Sequence, residues 1–241
     1  MTTKEFSDAF DTLLNSYNTD GDFGYTSSTK TITLDEYEKS LFLTQAQEQL
    51  VIELYTGRNS KASSFEETEE ARANLRSLIR TATLTESSGY NGISKYSKFF
   101  VLPEDVLFIT YESATLDDDN AGCKKESEIP IIPVTQDEFH SIINNPFRGL
   151  SNRRALRLDN GLDVVEIVTK YNIKNYTVRY ISKPTPIVLS NFFEESDDGV
   201  SIDGVSEITE CELDSVMHRD ILKRAVALAV ASRSIQNKGN V

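Results

Sequence analysis

Two cysteines and two histidines are the side chains of this 241-residue chain best suited to nucleophilic or proton-transfer work. Their spacing assembles no familiar site. Cys123 stands in a charged stretch, while Cys211 and His218 lie seven residues apart astride a helix start, with no local catalytic signature around either thiol. Triads are recognised by geometry rather than sequence order, so spacing alone does not decide the matter. His218-Arg219-Asp220 repeats the first letters of the kinase catalytic loop, but the position that should carry a metal-binding Asn is Ala225. Asp22-Phe23-Gly24 is a chance triplet of the same sort. Asp117, Asp119, Gly122 and Glu128 fall at positions 1, 3, 6 and 12 of a calcium loop, a geometry in which carboxylate oxygens wrap a hard cation. Ala121 occupies position 5, and Lys124 and Lys125 oppose a cation, so the stretch reads as a solvated acidic loop. In the other acidic turn, Asn18, Asp20 and Asp22, Phe23 stands where the glycine belongs and Thr29 where the bidentate Glu belongs. GxGxxG, Walker, GxSxG and HExxH motifs are all missing. The sequence therefore predicts no catalytic residue, no cofactor and no metal. A hydrolase built on dispersed carboxylates leaves no signature and stays open as an alternative.

One cluster departs from the acidic background. Arg148, Arg153, Arg154 and Arg157 fall within ten residues, and guanidinium forks pair bidentately with carboxylates or phosphates. These four are the candidate intersubunit contact, set against the plainer reading of outward charges on a period-two strand. The chain as a whole carries a formal charge of −13 with a pI near 4.7. Clamping duplex phosphates needs clustered Lys and Arg, so a duplex-gripping role is not expected, and an acidic surface would let nucleic acid slide past. Charged residues make up 26% and apolar residues 39%, ordinary values for a globular protein. The polar start, Met1 to Asp11, lacks the core of a signal peptide, and the longest apolar run, Ala225 to Ala231, is too short for a bilayer. No membrane association is expected, and sparse cysteines suit assembly in a reducing cytoplasm.

The elements that hold these residues follow from hydrophobic period. Phe6, Phe10, Leu13, Leu14 and Tyr17 predict a first helix. Leu34, Tyr37, Leu41, Leu50, Val51 and Leu54 predict the buried stripe of a second, running to Tyr55, with Lys39, Glu48 and Glu53 outside, a Thr33–Glu36 capping box and Gly57 at the exit. Ser64 and Glu67 predict a capped third helix ending near Arg80. Strands are expected over Phe99–Leu102, Val106–Thr115 and Ile129–Val134, the last an edge strand because Pro130 and Pro133 cannot donate to a ladder. Thr135 with Glu138 should cap a short helix to Asn144. Arg154–Leu158, the Asn160-Gly161 turn and Asp163–Thr169 predict a hairpin; Tyr176–Ile181 and Ile187–Leu189 would extend the meander, and Phe192–Asp203 is an acidic loop. Asp214 should cap a final helix bearing Met217, Ile221, Leu222, Ala225, Leu228 and Ala229. The expected fold class is α+β: a helical bundle from residues 1–80 and 205–241, with an inserted antiparallel β-rich domain over 81–204.

The order Leu34-Asp-Glu-Tyr-Glu-Lys-Ser-Leu-Phe-Leu-Thr-Gln-Ala-Gln-Glu-Gln-Leu-Val, Leu102-Pro-Glu-Asp-Val-Leu-Phe, Pro133-Val-Thr-Gln-Asp-Glu-Phe, Asn145-Pro-Phe-Arg, Arg179-Tyr-Ile-Ser-Lys-Pro-Thr-Pro-Ile-Val-Leu and the ending Cys211-Glu-Leu with His218 to Ala229 resembles ring proteins of crAss-like bacteriophages. These are similar in turn to the tail tubular adaptor family of short-tailed phages. The resemblance spans residues 34 to 230. It implies a virion structural protein at the head-to-tail junction, a homo-oligomeric ring of twelve copies assembled in the host bacterial cytoplasm, with the portal protein and other tail or ring proteins as partners. Double-stranded DNA would pass through the lumen without sequence-specific binding, and no catalytic residue comes with the family. The competing reading is a monomeric binding module whose β-rich part recognises a peptide or small molecule.

Overall fold

A computed structural model describes residues 1–19, 33–58, 64–124, 126–161, 163–192 and 200–238. The architecture is mixed α+β. Two compact units divide the chain, Met1–Leu78 with Pro184–Val241, and Ile79–Lys183.

In the first unit, α1 (Thr3–Thr19), α2 (Glu36–Thr56) and α5 (His218–Lys238) pack on one another. Phe6, Phe10 and Leu14 of α1 are buried at helical spacing, as their period predicts. The N-cap of α2 is Asp35 rather than Thr33: its backbone is extended, its carboxylate accepts from the Glu36 N–H at 2.8 Å, and Glu38 reaches back to the Asp35 N–H. The helix ends on Gly57 with φ 74°, in the left-handed region that glycine enters without a Cβ penalty.

The buried face of α2 differs from the one expected. Leu41 is 46% exposed, whereas Lys39, Ser40, Thr44 and Gln47 are buried. Lys39, 3% exposed, points to α1, where Asp11 lies 2.7 Å away, Ser7 3.1 Å, and Glu36 of its own helix 3.0 Å. Burial opposes that charge, but Asp11 and Glu36 outweigh it and hold the ammonium above its ordinary pKa. Ser40, Thr44 and Gln47 instead meet the extended segment after Pro184. The Leu189 N–H donates to Ser40 Oγ at 3.0 Å, the Ile187 N–H to Thr44 Oγ1 at 3.1 Å, and Gln47 Nε2 donates to the Thr185 carbonyl at 2.8 Å. The opposite side of that segment is taken by Thr209, which exchanges backbone bonds with Val188 and donates its hydroxyl to the Pro186 carbonyl. Ile187–Leu189 is therefore not a further strand of the meander: helix side chains have replaced one neighbouring strand.

The third helix is also shorter than expected. Ser64 and Glu67 form a turn, α3 covers Glu69–Asn74 behind a Thr68 cap, and a 3-10 turn at Arg76–Leu78 leads directly into a strand. Asp214 accepts from the Val216 N–H at 3.1 Å in the turn that precedes α5.

The second unit is a seven-stranded sheet. Its strands are β1 (Ile79–Leu84), β2 (Ser97–Val101), β3 (Val106–Leu116), β4 (Glu128–Pro133), β5 (Ala155–Asp159), β6 (Val164–Val168) and β7 (Ile173–Ser182), ordered β1-β7-β3-β4-β5-β6-β2. The β5–β6 hairpin forms as its Asn-Gly turn predicts, with Gly161 at φ 85°. Two expectations are corrected. β4 is interior rather than an edge, and it pairs parallel with β5, so the sheet is mixed instead of wholly antiparallel. Residues 128–130 pair β3 and residues 131–133 pair β5, so Pro130 sits where one ladder hands over to the next and its missing N–H removes little. The parallel pairing follows from the crossover through α4 (Phe139–Ile143), which returns the chain in its original direction. Thr135 makes no side-chain cap; its hydroxyl serves the Asp137 carboxylate. Phe100, Leu116, Ile167 and Tyr176 centre the main core, while Phe139, Leu156, Leu158 and Val168 form a second one beneath α4.

Candidate interaction surface

Of the residues singled out for chemistry, His218 and Cys211 are occupied structurally, and His140 is exposed. His218 is buried against Phe6, with ring centroids 5.2 Å apart. The amino group of Met1 lies 2.6 Å from its Nδ1, and Nε2–H donates to the Leu213 carbonyl at 3.0 Å. That places the neutral tautomer with the proton on Nε2. Burial, aided by the adjacent ammonium, pushes its pKa down in spite of the Leu213 bond. Arg219 and Asp220 are exposed on the helix. Cys211 donates to Gln47 Oε1 at 3.1 Å, and burial pushes its thiol up to about 11, far from the thiolate a nucleophile needs.

The calcium-like spacing does not close into a cage. Residues 119–124 form a 3-10 turn, Glu128 has joined β4 and accepts from the Ser113 hydroxyl, and Asp118 takes the N–H groups of Asn120 and Asn172 at 2.9 and 3.1 Å. Among the described residues no group of three or more His, Cys, Asp or Glu could hold a metal. The side chains of Asn18 and Cys123, the rest of the acidic turn at 20–22, the triplet at 22–24 and the acidic residues 193–199 lie outside what is described. Among the described residues, no helix is long and apolar enough to cross a membrane.

Among the described residues, Glu112 and Glu166 are buried in the sheet, and each has a positioning task. Glu112 on β3 accepts from the Tyr176 hydroxyl, and Arg157 lies 3.0 Å away, off the line of a hydrogen bond. Burial and that carboxylate raise the Tyr176 pKa, so the phenol keeps its proton. Glu166 on β6 accepts from the Ile93 N–H at 2.9 Å and from Ser97, fastening the loop ahead of β2.

The four arginines divide. Arg157 turns inward to Glu112 and Asp159, 3.0 and 3.3 Å away. Arg148 and Arg153 are exposed and Arg154 is half-buried. Between α4 and β5 the structure adds a residue that hydrophobic period did not single out: Phe147 is 85% exposed. Asn145 shapes its turn. The Asn145 side-chain oxygen accepts from the N–H groups of Phe147 and Arg148 at 2.8 and 3.1 Å, and its backbone carbonyl accepts from Gly149 at 2.8 Å. Gly149 is buried, and a Cβ there would lie 2.7 and 2.8 Å from the carbonyls of Asn145 and Ile143. A sequence signal available for this turn is Asn145-Pro146, with Gly149 behind it. What it could not show was that the ring between them faces water.

The chain matches the family described as phage tail ring protein 3/4 over residues 1–240. It is 51% identical to Ring protein 3 of Bacteroides phage crAss001 over 242 aligned residues, covering 100% of this chain and 99% of that protein. It is 32% identical to Ring protein 4/5 of the same phage over 240 residues, covering 96% of this chain and 93% of the relative. Both similarities run across the helical and the β-rich units alike, and the chain accordingly belongs to the phage tail ring protein 3/4 family, the ring proteins of crAss-like phages.

Proposed function

We propose that this chain is a structural subunit of the virion that assembles into a ring of twelve copies in the head-to-tail connector, below the portal, with the genome passing through its lumen. The observation that carries the reading is the end-to-end similarity to two proteins named as ring proteins. The physical features agree with it. His218, Cys211, Asp118 and Glu128 are committed to holding a helix, a turn or a strand. A ring closes through heterologous joints, in which one face of a subunit meets a different face of the next. In this reading the helices of the first unit form a bundle that carries the β-rich unit as an insertion, and the partners are further copies, the portal and the other ring or tail proteins. The excess of carboxylates lines the channel in part, so that duplex DNA slides without sequence-specific contact.

Arg148, Arg153 and Arg154 are the proposed cationic side of the joint, and Arg157 is withdrawn from it because Glu112 holds it. Two measurements test the proposal. Negative-stain imaging and native mass of the purified protein, alone and mixed with the portal and its companion tail proteins, should reveal rings. A chain that stays monomeric in every mixture would refute the reading. Replacing Arg153 and Arg154 together with Glu should weaken assembly at low salt, and unchanged rings would remove the arginines from the joint.

A further inference from the structure

We infer that Phe147 is the apolar anchor of the joint between copies, a ring held out on a pre-formed turn to enter the surface of a second copy of this chain. The inference deepens the ring reading above and rests on it. Four observations converge on the same short segment. First, Phe147 is 85% exposed, while Phe139, only eight residues earlier, is 2% exposed. Second, the turn carrying it is fixed by three bonds to Asn145 and by a buried Gly149 that tolerates no Cβ. A fixed turn loses little freedom on association, whereas a loop would have to be ordered first. Third, the segment Phe139–Leu158 holds four arginines and neither Lys, Asp nor Glu, although the chain has 38 acidic residues. Interface cores are enriched in aromatic residues and Arg and depleted in Lys, Glu and Asp, the composition seen here. Fourth, the tip is cationic on a chain of net charge −13, so a second copy is itself the acidic surface that such a tip fits.

Single exposed apolar residues are common and call for no explanation by themselves. Here the exposed ring is rigidly presented and flanked by Arg148 with Arg153 nearby in sequence, which is the make-up of an anchor inside a charged rim. Such a residue carries a disproportionate share of association energy.

The test compares wild type, Phe147→Ser and Phe147→Tyr by sedimentation velocity across a concentration series, with the portal and companion tail proteins added in a second series. Phe147→Ser should weaken association between copies by about 30-fold or more, the size of a binding hot spot, and Phe147→Tyr should stay close to wild type. Thermal melting of both variants should match wild type, because the ring is nearly all in water. A photo-crosslinking amino acid at position 147 in assembled particles should yield a dimer of this chain. Wild-type rings with an unaltered Phe147→Ser series would overturn the anchor while leaving the ring reading intact. Crosslinks solely to another tail protein or to DNA would overturn the choice of partner. A wild-type chain that never assembles would overturn both proposals together.

Discussion

Replacing Thr44 with Val tests whether α2 is held by the backbone of residues 185–189 or simply by apolar packing. The substitution keeps the branched shape and exchanges one hydroxyl for a methyl. Thr44 is 5% exposed and Ile187 0%, so water cannot take over the lost bonds. The Ile187 N–H, 3.1 Å from Thr44 Oγ1, would be left without that acceptor, and the Ile187 carbonyl would lose a donor at 3.4 Å. Each buried group deprived of its partner costs about 1–3 kcal/mol. The extra buried methyl returns about 0.8 kcal/mol, leaving a net loss of about 1–5 kcal/mol for Thr44→Val. Thr44→Ser supplies the contrast, since it retains the hydroxyl and deletes a methyl, at about 0.5–1.5 kcal/mol. Urea titration followed by far-UV circular dichroism would rank the variants, with an unchanged m-value confirming that the denatured state is unaffected. The reasoning predicts the order wild type, Ser, Val from most to least stable. That reverses what hydrophobicity alone would give. A Val variant as stable as the Ser variant would refute the claim that α2 binds backbone.

Acid sensitivity should centre on His218. Its folded pKa lies below the unfolded value of 6.5, so the unfolded chain binds the proton more readily. The stability it supports is complete above about pH 6.5 and is lost as pH falls through the lowered folded value; the fall between pH 7 and 5 should flatten in His218→Gln, measured by denaturant midpoint. In the β-rich unit, a methyl at Gly92 would overlap Ser97 and crowd Glu166 Oε1 at 2.9 Å. Gly92→Ala should therefore destabilise by about 1–3 kcal/mol, read as a lowered melting temperature with hydrogen-exchange protection lost around Ile93 and Ser97.

Local chemistry was the legible part of the fold. Gly57, Asn160-Gly161, the strand over Val106–Thr115 and the apolar period of α5 each act through neighbours close in sequence, and each forms where its signal predicts. Burial on α2 was not legible, because Ser40, Thr44 and Gln47 satisfy partners about 140 residues away, and hydrophobic period counts such side chains as solvent-facing. Lys39 misleads for the same reason: three polar partners make its burial tolerable. The third helix over-ran its end because Leu75, Leu78 and Ile79 keep helical spacing up to the residue where the β-branched run begins. Prolines in β4 suggested an edge because the rule concerns ladder donors, and the handover between β3 and β5 leaves few to lose. At the candidate surface the arginines were visible as composition, but only Glu112, remote in sequence, decided that Arg157 faces inward.

The rungs between α2 and the segment opposite it also set a limit on that device. Four helical residues advance about 6 Å, while two extended residues advance about 6.7 Å, so the two rows of partners drift apart by roughly 0.7 Å at each repeat. Short hydroxyls at 40 and 44 serve the first two rungs. At the third the helix steps three residues, about 4.5 Å, and the shortfall is bridged by a longer amide at 47. A vernier of this kind runs out of reach within a few graduations, and it fixes one axial setting of helix against strand with no cooperation from the side chains of 185–189. Sliding the helix by half a turn would carry all three side chains off their partners at once, so α2 sits in a discrete register against this segment.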